Sequence, residues 1–261
     1  MLLIASAFIF GLLLGSFLNV CIARLPKDES IAFPASHCPQ CQAPIKFYDN
    51  IPLLSFALLR GRCRACRVPI SFKYPAVELV TGTLTALFFA RWGGSLPWLA
   101  VSLAAVYALI VVSVIDFETM MISDFFPLLL CLLGLAGSYV DPCFEGGWAA
   151  RLGQSAGGAA AGAGAIWLLA FMGKVIYKKE AVGEGDIFLM GGIGALCGWQ
   201  GVLSSVIMAS FFGSAYGLSL LLLKRADRMS HMPFGPFLAL GAVINLYTLV
   251  KPEYFFIVLP F

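Results

Sequence analysis

Long apolar runs separated by short polar segments make up most of the chain. Such runs cover about 1–23, 74–91, 97–115, 125–140, 155–177 and 235–250, and an uncharged stretch covers 187–223. As one helix that stretch would be roughly 55 Å long, against a hydrocarbon core of about 30 Å. We therefore predict two spans within it, separated at the polar sequence Gly198-Trp199-Gln200-Gly201. The pattern predicts an all-α polytopic membrane protein with about eight transmembrane helices.

Composition supports this class. Of the 261 residues, 60% are hydrophobic and 12% are charged, whereas soluble domains average about 45–50% apolar and about 25% charged residues. A soluble globule and a disordered chain are thereby excluded, and membrane lipids are the expected surroundings. The net charge of +3 is too small to indicate a nucleic-acid partner. The first run has no basic start, so we interpret it as a retained span and not as a signal peptide.

The basic residues predict the orientation. With the N-terminus outward, all but Arg91, Arg151 and Lys251 of the 17 Lys and Arg residues fall in inward-facing segments. An excess of basic residues marks cytoplasmic loops. The predicted organisation is a first helix at 1–23, a cytoplasmic domain at 24–73 and a membrane domain of about seven helices at 74–261.

Glycines are concentrated in the second half of the chain. Gly158 and Gly162 are four positions apart, as are Gly194 and Gly198. Small residues at this spacing allow membrane helices to approach closely. We interpret these glycines as helix-packing positions.

Four cysteines form two CxxC pairs within the polar segment 24–73. Cys38 and Cys41 form the first pair, and Cys63 and Cys66 form the second. Two such turns can supply the four thiolates of a tetrahedral zinc site. In a reducing cytoplasm a structural Zn²⁺ is favoured over the alternatives, which are a redox-active pair or disulfides. A site with four protein ligands leaves no open position for substrate.

Acidic residues at the ends of predicted spans are the candidate catalytic groups. Asp116 ends the third span, Asp124 precedes the fourth, Asp186 opens the sixth, and Glu78 lies in the first turns of the second. The predicted topology brings the three aspartates to the cytoplasmic side. Two aspartates that share a proton can act as base and acid in peptide hydrolysis. The alternative is that Asp116 and Asp186 only cap helices at the interface.

Several short motifs carry a resemblance to a known family. In chain order they are Gly15-Ser-Phe-Leu-Asn-Val20, Arg24-Leu-Pro26, the two CxxC pairs, Asp49-Asn-Ile-Pro52, Leu54-Ser55, Gly61-Arg-Cys63, Tyr74-Pro75, Glu78-Leu79, Ile115-Asp116, Gly183-x-Gly185-Asp186 and Pro233-Phe-Gly-Pro-Phe237. The whole chain resembles the bacterial type IV prepilin leader peptidase/N-methyltransferase family. The motifs occur in the same order as in the family, from residue 15 to residue 237, which makes the resemblance specific.

The resemblance implies an aspartic peptidase of the GxGD kind in the bacterial inner membrane. Such enzymes remove the short basic leader of type IV prepilins or pseudopilins after a glycine, on the cytoplasmic side. They then methylate the new N-terminus with S-adenosylmethionine. Carried over by motif, the catalytic pair is Asp116 and Asp186, and the four cysteines mark the cytoplasmic zinc domain.

Two positions depart from the family pattern. The family commonly has Ile-Pro-Asp where this chain has Ile122-Ser123-Asp124, and a lysine where it has Phe188. Neither change replaces a catalytic aspartate, so the reaction class is unaffected, although rate and substrate preference cannot be carried over.

The methyl-transfer site is less marked in the sequence. No GxGxG-type cofactor loop is present. Gly61 and Glu78 are weak candidates for the S-adenosylmethionine site, because both lie near the zinc domain and the membrane surface. Their alternative roles are a turn for Gly61 and a helix N-terminal acid for Glu78.

Two other functions compete with the peptidase. A zinc-stapled membrane scaffold could assemble a pilus or secretion apparatus without cleaving any substrate. A transporter could use buried carboxylates as a proton relay, but it would favour internal repeats and acids near the middle of a span. The chain shows neither feature.

Overall fold

The computed structural model describes residues 1–178, 183–224 and 232–249. These residues form eight α-helices and no β-strand. The helices are α1 (Leu2–Arg24), α2 (Leu54–Leu58), α3 (Lys73–Trp92), α4 (Leu96–Thr119), α5 (Phe125–Gly137), α6 (Trp148–Tyr177), α7 (Glu184–Leu222) and α8 (Gly235–Thr248). The all-helical class predicted from the apolar runs is confirmed for the described ranges.

Four of these helices are long and apolar enough to cross a membrane. They are α1, α4, α6 and α7, while α5 and α8 are shorter apolar helices. The count of eight spans and the outward N-terminus stay predictions. Lys251, which was assigned to the outer side, lies outside the described residues.

Helix α7 is broken where the sequence predicted a break. Gly198 has φ 65° and ψ 177°, which is not a helical conformation. A side chain there would be strained, because L-residues rarely adopt a positive φ. It would also meet the ring of Phe144, whose Cε1 lies 3.0 Å from the position a Cβ would occupy. The break divides the 39-residue helix into a segment of 14 residues, Glu184–Cys197, and one of 24 residues, Trp199–Leu222.

The chain divides into two compact units, Met1–Leu99 and a second that begins at Ala100. In the first unit α1 packs on α3. A Cβ on Gly15 would lie 2.8 Å from the Cα of Glu78, and one on Gly11 would lie 2.5 Å from the hydroxyl of Thr85. The middle of α1 therefore packs closely along the first half of α3. The predicted domain boundaries at 23 and 73 stay predictions.

In the second unit α7 packs against α5, α6 and α8. Gly158 faces the carbonyl of Gly194, and Gly162 faces the carbonyl of Met190, so a side chain on either would collide with the backbone of α7. The hydroxyl of Ser155 donates to the carbonyl of Ala195 at 2.7 Å. The glycines predicted to mediate close packing therefore do so between α6 and α7.

Candidate active site and metal centre

Asp116 lies near the end of α4 and is only 5% exposed. Its Oδ2 accepts a hydrogen bond from the backbone N–H of Gly235 at 3.1 Å. Gly235 is the first residue of α8 and is followed by Pro236. The first N–H groups of a helix have no partner within it and carry a partial positive charge. Asp116 therefore caps α8 and not its own helix.

The contact between Asp116 and α8 requires a glycine. A Cβ on Gly235 would lie 2.7 Å from the Asp116 Oδ2 and 3.1 Å from the Cδ1 of Ile122. Contacts below 3.0 Å essentially do not occur for real Cβ atoms. Gly235 belongs to the motif Pro233-Phe-Gly-Pro-Phe237, to which the sequence alone assigns no role. Its role is to bring a backbone donor to Asp116.

Asp186 lies in the first turn of α7 and is 8% exposed. Among the described residues its Oδ1 has no hydrogen-bond partner. Gly183 precedes the helix in extended conformation, and a Cβ there would be 3.7 Å from the Asp186 Oδ2. Gly185 allows close packing beside Asp186, because a Cβ there would lie 2.9 Å from the Cβ of Ile122, whereas a Cβ on Gly183 would make an ordinary contact.

Asp116 and Asp186 are brought into one cluster. The charge of Asp116 is among the electrostatic neighbours of Asp186. Ile122 connects their surroundings, since a Cβ on Gly185 would lie 2.9 Å from the Ile122 Cβ, and the same side chain reaches Gly235. The two carboxylates, 70 positions apart in sequence, are therefore neighbours in a buried setting.

The other acids of this region are exposed. Asp124 occupies the N-cap position of α5, but its side chain makes no capping hydrogen bond. Glu118 and Glu184 are also exposed and lie beside the buried pair in sequence. The side chain of Phe188, one of the two departures from the family pattern, is 57% exposed.

Three aromatic rings beside Asp116 were missed by sequence reasoning. Phe117, Tyr216 and Phe237 contact one another, with ring centroids 5.6–6.1 Å apart. Phe117 is 46% exposed and Tyr216 is 38% exposed. Aromatic residues are common throughout this apolar chain, so only the fold identifies these three as a group.

The four cysteines predicted to bind zinc converge in the first unit. The sulfur atoms of Cys38, Cys41, Cys63 and Cys66 all lie within 4.8 Å of one another, and those of Cys38 and Cys66 are 3.9 Å apart. A Zn–S bond of about 2.3 Å places the sulfurs of a tetrahedral site roughly 3.8 Å apart. The cluster therefore fits a zinc ion bound by four thiolates.

The two CxxC turns have matching backbone geometry. The N–H of Cys38 donates to Ala43 and that of Cys63 donates to Val68, each at 2.9 Å. The residue after each second cysteine, Gln42 or Arg67, has a positive φ of 58° or 62°. This repeated turn directs both thiols of each pair toward one point, as the spacing predicted.

In the second turn, local hydrogen bonds favour the thiolate form of Cys63, whereas the pKa of the Cys66 thiol is raised. The backbone N–H groups of Cys66 and then Ala65 donate to the sulfur of Cys63 and lower the pKa of its thiol to about 6. Next to it, the guanidinium of Arg64 binds Asp49 through both carboxylate oxygens, at 2.7 and 2.5 Å. This hydrogen-bonded pair holds the pKa of Asp49 below its usual range and ties the segment after the first turn to the second.

Gly61 and Glu78 both have structural partners. Gly61 has φ 66° and packs under the ring of Phe56, where a Cβ would be 3.1 Å away. The carboxylate of Glu78 accepts the N–H of Leu53 at 2.9 Å and a hydrogen bond from the hydroxyl of Ser16. These contacts give Gly61 a turn role and make Glu78 an anchor for the segment before α2. Their role toward S-adenosylmethionine stays a prediction.

Comparison with known proteins agrees with this arrangement. Residues 9–92 match the bacterial Peptidase A24 N-terminal domain, and residues 103–218 match the type IV leader peptidase family. The first match contains the four cysteines, and the second contains Asp116 and Asp186. No solved structure gives a significant match to the chain.

Full-length relatives cover both parts. The prepilin leader peptidase/N-methyltransferase of Aeromonas hydrophila is 35% identical over 92% of this chain and 88% of its own length. That of Pseudomonas aeruginosa is 32% identical over 91% of this chain and 88% of its own length. The relative of the same name in Myxococcus xanthus is 38% identical over 82% of this chain and 62% of its own length.

The match to a leader peptidase family and the four candidate membrane helices define a membrane peptidase, and the described residues also contain a four-cysteine cluster that could hold a metal ion. The chain belongs to the type IV leader peptidase family, and it is a peptidase with N-methyltransferase activity.

Proposed function

We propose that this enzyme removes the short basic leader of type IV prepilins or pseudopilins after a glycine, using Asp116 and Asp186. We further propose that it then methylates the new N-terminal amine with S-adenosylmethionine. The reaction takes place at the cytoplasmic face of the bacterial inner membrane, with the N-terminus of the enzyme outward. The relatives named above are prepilin leader peptidase/N-methyltransferases, which supports this choice of substrate.

One observation carries the peptidase proposal. Asp116 and Asp186 are both buried, they lie in one cluster, and a tightly packed glycine, Gly235 or Gly185, lies beside each of them. Buried carboxylates at the ends of apolar helices are costly and are a functional hypothesis by default. A purely structural cap does not require a second carboxylate beside it.

The pair can perform hydrolysis without a covalent intermediate. One carboxylate takes a proton from water as the water oxygen attacks the carbonyl carbon of the glycine, and the protonated partner donates its proton to the carbonyl oxygen. As the C–N bond breaks, the diol returns a hydroxyl proton to that partner, and the first carboxyl group gives the proton it took from water to the amine nitrogen. The leaving amine accepts one proton, so the pair regains its single shared proton after each turnover.

Charges near the pair suit a basic leader. Glu118, Asp124 and Glu184 are exposed and lie beside the buried aspartates in sequence. Exposed charges of opposite sign raise the rate of encounter and orient a partner. A glycine before the scissile bond leaves space at the carboxylates and weakens the local helix, which exposes the bond to water.

The zinc ion has a structural role in this proposal. The four sulfurs that fit it are all protein ligands, so the ion supplies stability to the polar domain and no open coordination position. S-adenosylmethionine would supply the methyl group for the amine released by cleavage. We place the cofactor in the first unit, in the region of Gly61 and Glu78. Both residues already have protein partners there, so neither is given a role in the transfer step.

A direct assay tests both activities. Purified enzyme is mixed with a prepilin peptide that carries its leader, with and without S-adenosylmethionine, and the products are analysed by mass spectrometry. We expect leader release in both reactions and an added methyl group only with the cofactor. Absence of leader release from a folded, zinc-loaded preparation would contradict the peptidase proposal and favour the scaffold alternative.

A further inference from the structure

A cavity of about 550 Å³ lies between the second half of α7 and the start of α8. We call it the α7–α8 groove. Ala209, Gly213 and Gly217 line one side, and Met232, Phe234 and Phe237 line the other. The exposed surface of the groove is mainly apolar.

The α7 side of the groove combines buried small residues with exposed ones. Ala209 and Gly217 are buried, and a Cβ on Gly217 would lie 3.0 Å from the Cε of Met232. The exposed α7 lining is formed by Ser210, Ser214, Leu218 and Leu221. From 209 to 221 the helix rises roughly 18 Å. The groove is therefore long enough for about three turns of a bound helix.

The groove is continuous with the surroundings of Asp116. The ring of Phe237 lines the groove and contacts the ring of Phe117, whose neighbour in sequence is Asp116, at a centroid distance of 6.0 Å. Phe234 also lines the groove, and the next residue, Gly235, donates its N–H to Asp116. A chain lying in the groove would thus pass the residues that adjoin Asp116 in sequence or by a hydrogen bond.

We propose that the α7–α8 groove binds the segment of the substrate that begins at the scissile bond, and its lining indicates that this segment is apolar. This inference rests on the proposed function. A bond can be cut by the aspartate pair only when the residues next to it lie beside Asp116, and the groove is the apolar surface that starts there. The exposed rings of Phe117 and Tyr216 provide further apolar contact at the junction between the groove and the carboxylate.

Photocrosslinking tests the proposed occupant without catalysis. Benzoylphenylalanine is placed at Leu218 in the groove, in the full-length enzyme carrying Asp116→Asn and Asp186→Asn. Trp167 of α6 is the control position, because its side chain is also exposed, at 57%, but does not line the groove. The probe is a type IV prepilin that retains its leader, presented in lipid vesicles.

We expect the Leu218 position to crosslink to the first turns of the apolar segment at least tenfold more than the Trp167 position. Adducts confined to lipid or to a second copy of this chain, or equal prepilin crosslinking at both positions, would overturn the proposal. Crosslinking reports binding and does not require cleavage, so this outcome is independent of whether the peptidase assignment is correct.

A groove-filling variant supplies the kinetic test. Ser214→Trp places a large side chain in the groove, and Gly164→Trp places one in open space on α6. We expect Ser214→Trp to lower kcat/KM for the full prepilin at least tenfold. Cleavage of a short peptide that ends a few residues after the scissile bond should change less than twofold. Equal loss for both substrates, or none for either, would overturn the docking proposal. Failure of the unmodified enzyme to cleave either one would instead contradict the proposed function.

Discussion

The backbone N–H of Gly235 donates a hydrogen bond to the Oδ2 of Asp116, a residue 119 positions earlier in the chain. This bond joins the end of α4 to the start of α8 at a carboxylate that is almost fully buried. It also explains why a glycine stands at this position. Since a Cβ would lie 2.7 Å from the carboxylate oxygen, any other residue must displace Asp116.

Replacement of Gly235 by alanine tests that relationship. We expect Gly235→Ala to lower kcat/KM for leader cleavage by about 100-fold, because a displacement of about 1 Å at a reacting group can cost that much. The matched control is Gly191→Ala in α7, where the nearest atom would be 3.5 Å away, an ordinary contact. Unchanged cleavage by Gly235→Ala would show that the position of the Asp116 carboxylate does not limit the reaction.

Helix packing between α6 and α7 gives a prediction about stability. Gly158→Ala would push a methyl group into the carbonyl of Gly194, whereas Gly157→Ala places it in open space. We expect Gly158→Ala to destabilise the protein by about 1–3 kcal/mol, as overpacking does. Gly157→Ala should be neutral or slightly stabilising, because alanine favours a helix over glycine. Thermal unfolding in detergent measures both, and equal Tm values would refute the packing role.

The four-cysteine centre predicts a defined metal content. We expect the purified enzyme to contain about one zinc ion per chain, since four thiolates complete its coordination. Cys38→Ser should lose most of this zinc and make the segment 24–73 more sensitive to protease. Cys131→Ser, which changes a cysteine of α5 outside the cluster, should keep it. Elemental analysis that finds no zinc in folded, active enzyme would contradict the assignment.

Asp141, in the loop after α5, predicts a pH dependence of stability. It is 2% exposed, and its Oδ1 accepts the N–H of Cys143 at 2.7 Å. Burial raises the pKa of Asp141 to about 7, and the hydrogen bond from Cys143 and the charge of Arg151 only partly oppose this. The folded protein therefore binds a proton that the unfolded chain has released above about pH 4.

The contribution of this proton to stability is present below pH 4 and is lost as the pH rises from about 4 to 7. We expect Asp141→Asn to remove this part of the decline, which amounts to at most about 4 kcal/mol. Glu145→Gln, a change of an exposed acid in the same loop, should leave the profile unchanged. Thermal unfolding at pH 5 and pH 8 measures the effect, and identical pH profiles for Asp141→Asn and the unmodified protein would contradict it.

Several features could be predicted from the sequence because they depend on local spacing. The two CxxC pairs define the metal cluster, since each pair forms one turn. The break at Gly198 follows from a helix too long for the bilayer. The packing glycines of α6 and α7 follow from their four-residue spacing.

Other features could not be predicted because they depend on contacts between distant segments. The hydrogen bond from Gly235 joins helices that are far apart in sequence. The burial of Asp141 is produced by packing around a loop and leaves no pattern in the residues beside it. The sequence shows Glu78 as an acid near the membrane surface. The hydrogen bond that its carboxylate accepts from the N–H of Leu53 follows only from the path of the intervening domain.

The most direct test of the central claim is leader cleavage by enzymes that lack one carboxylate. Asp116→Asn and Asp186→Asn each replace one carboxylate oxygen by an amide nitrogen at nearly constant volume. The helices and the zinc centre should therefore remain intact, and Tm and zinc content measure this. Glu145→Gln is the control for loss of an exposed acid. With a prepilin substrate in lipid vesicles, we expect the cleavage rate of each aspartate variant to be at least 1000-fold lower, while the control keeps full activity. Cleavage at the unmodified rate by either aspartate variant would contradict the account.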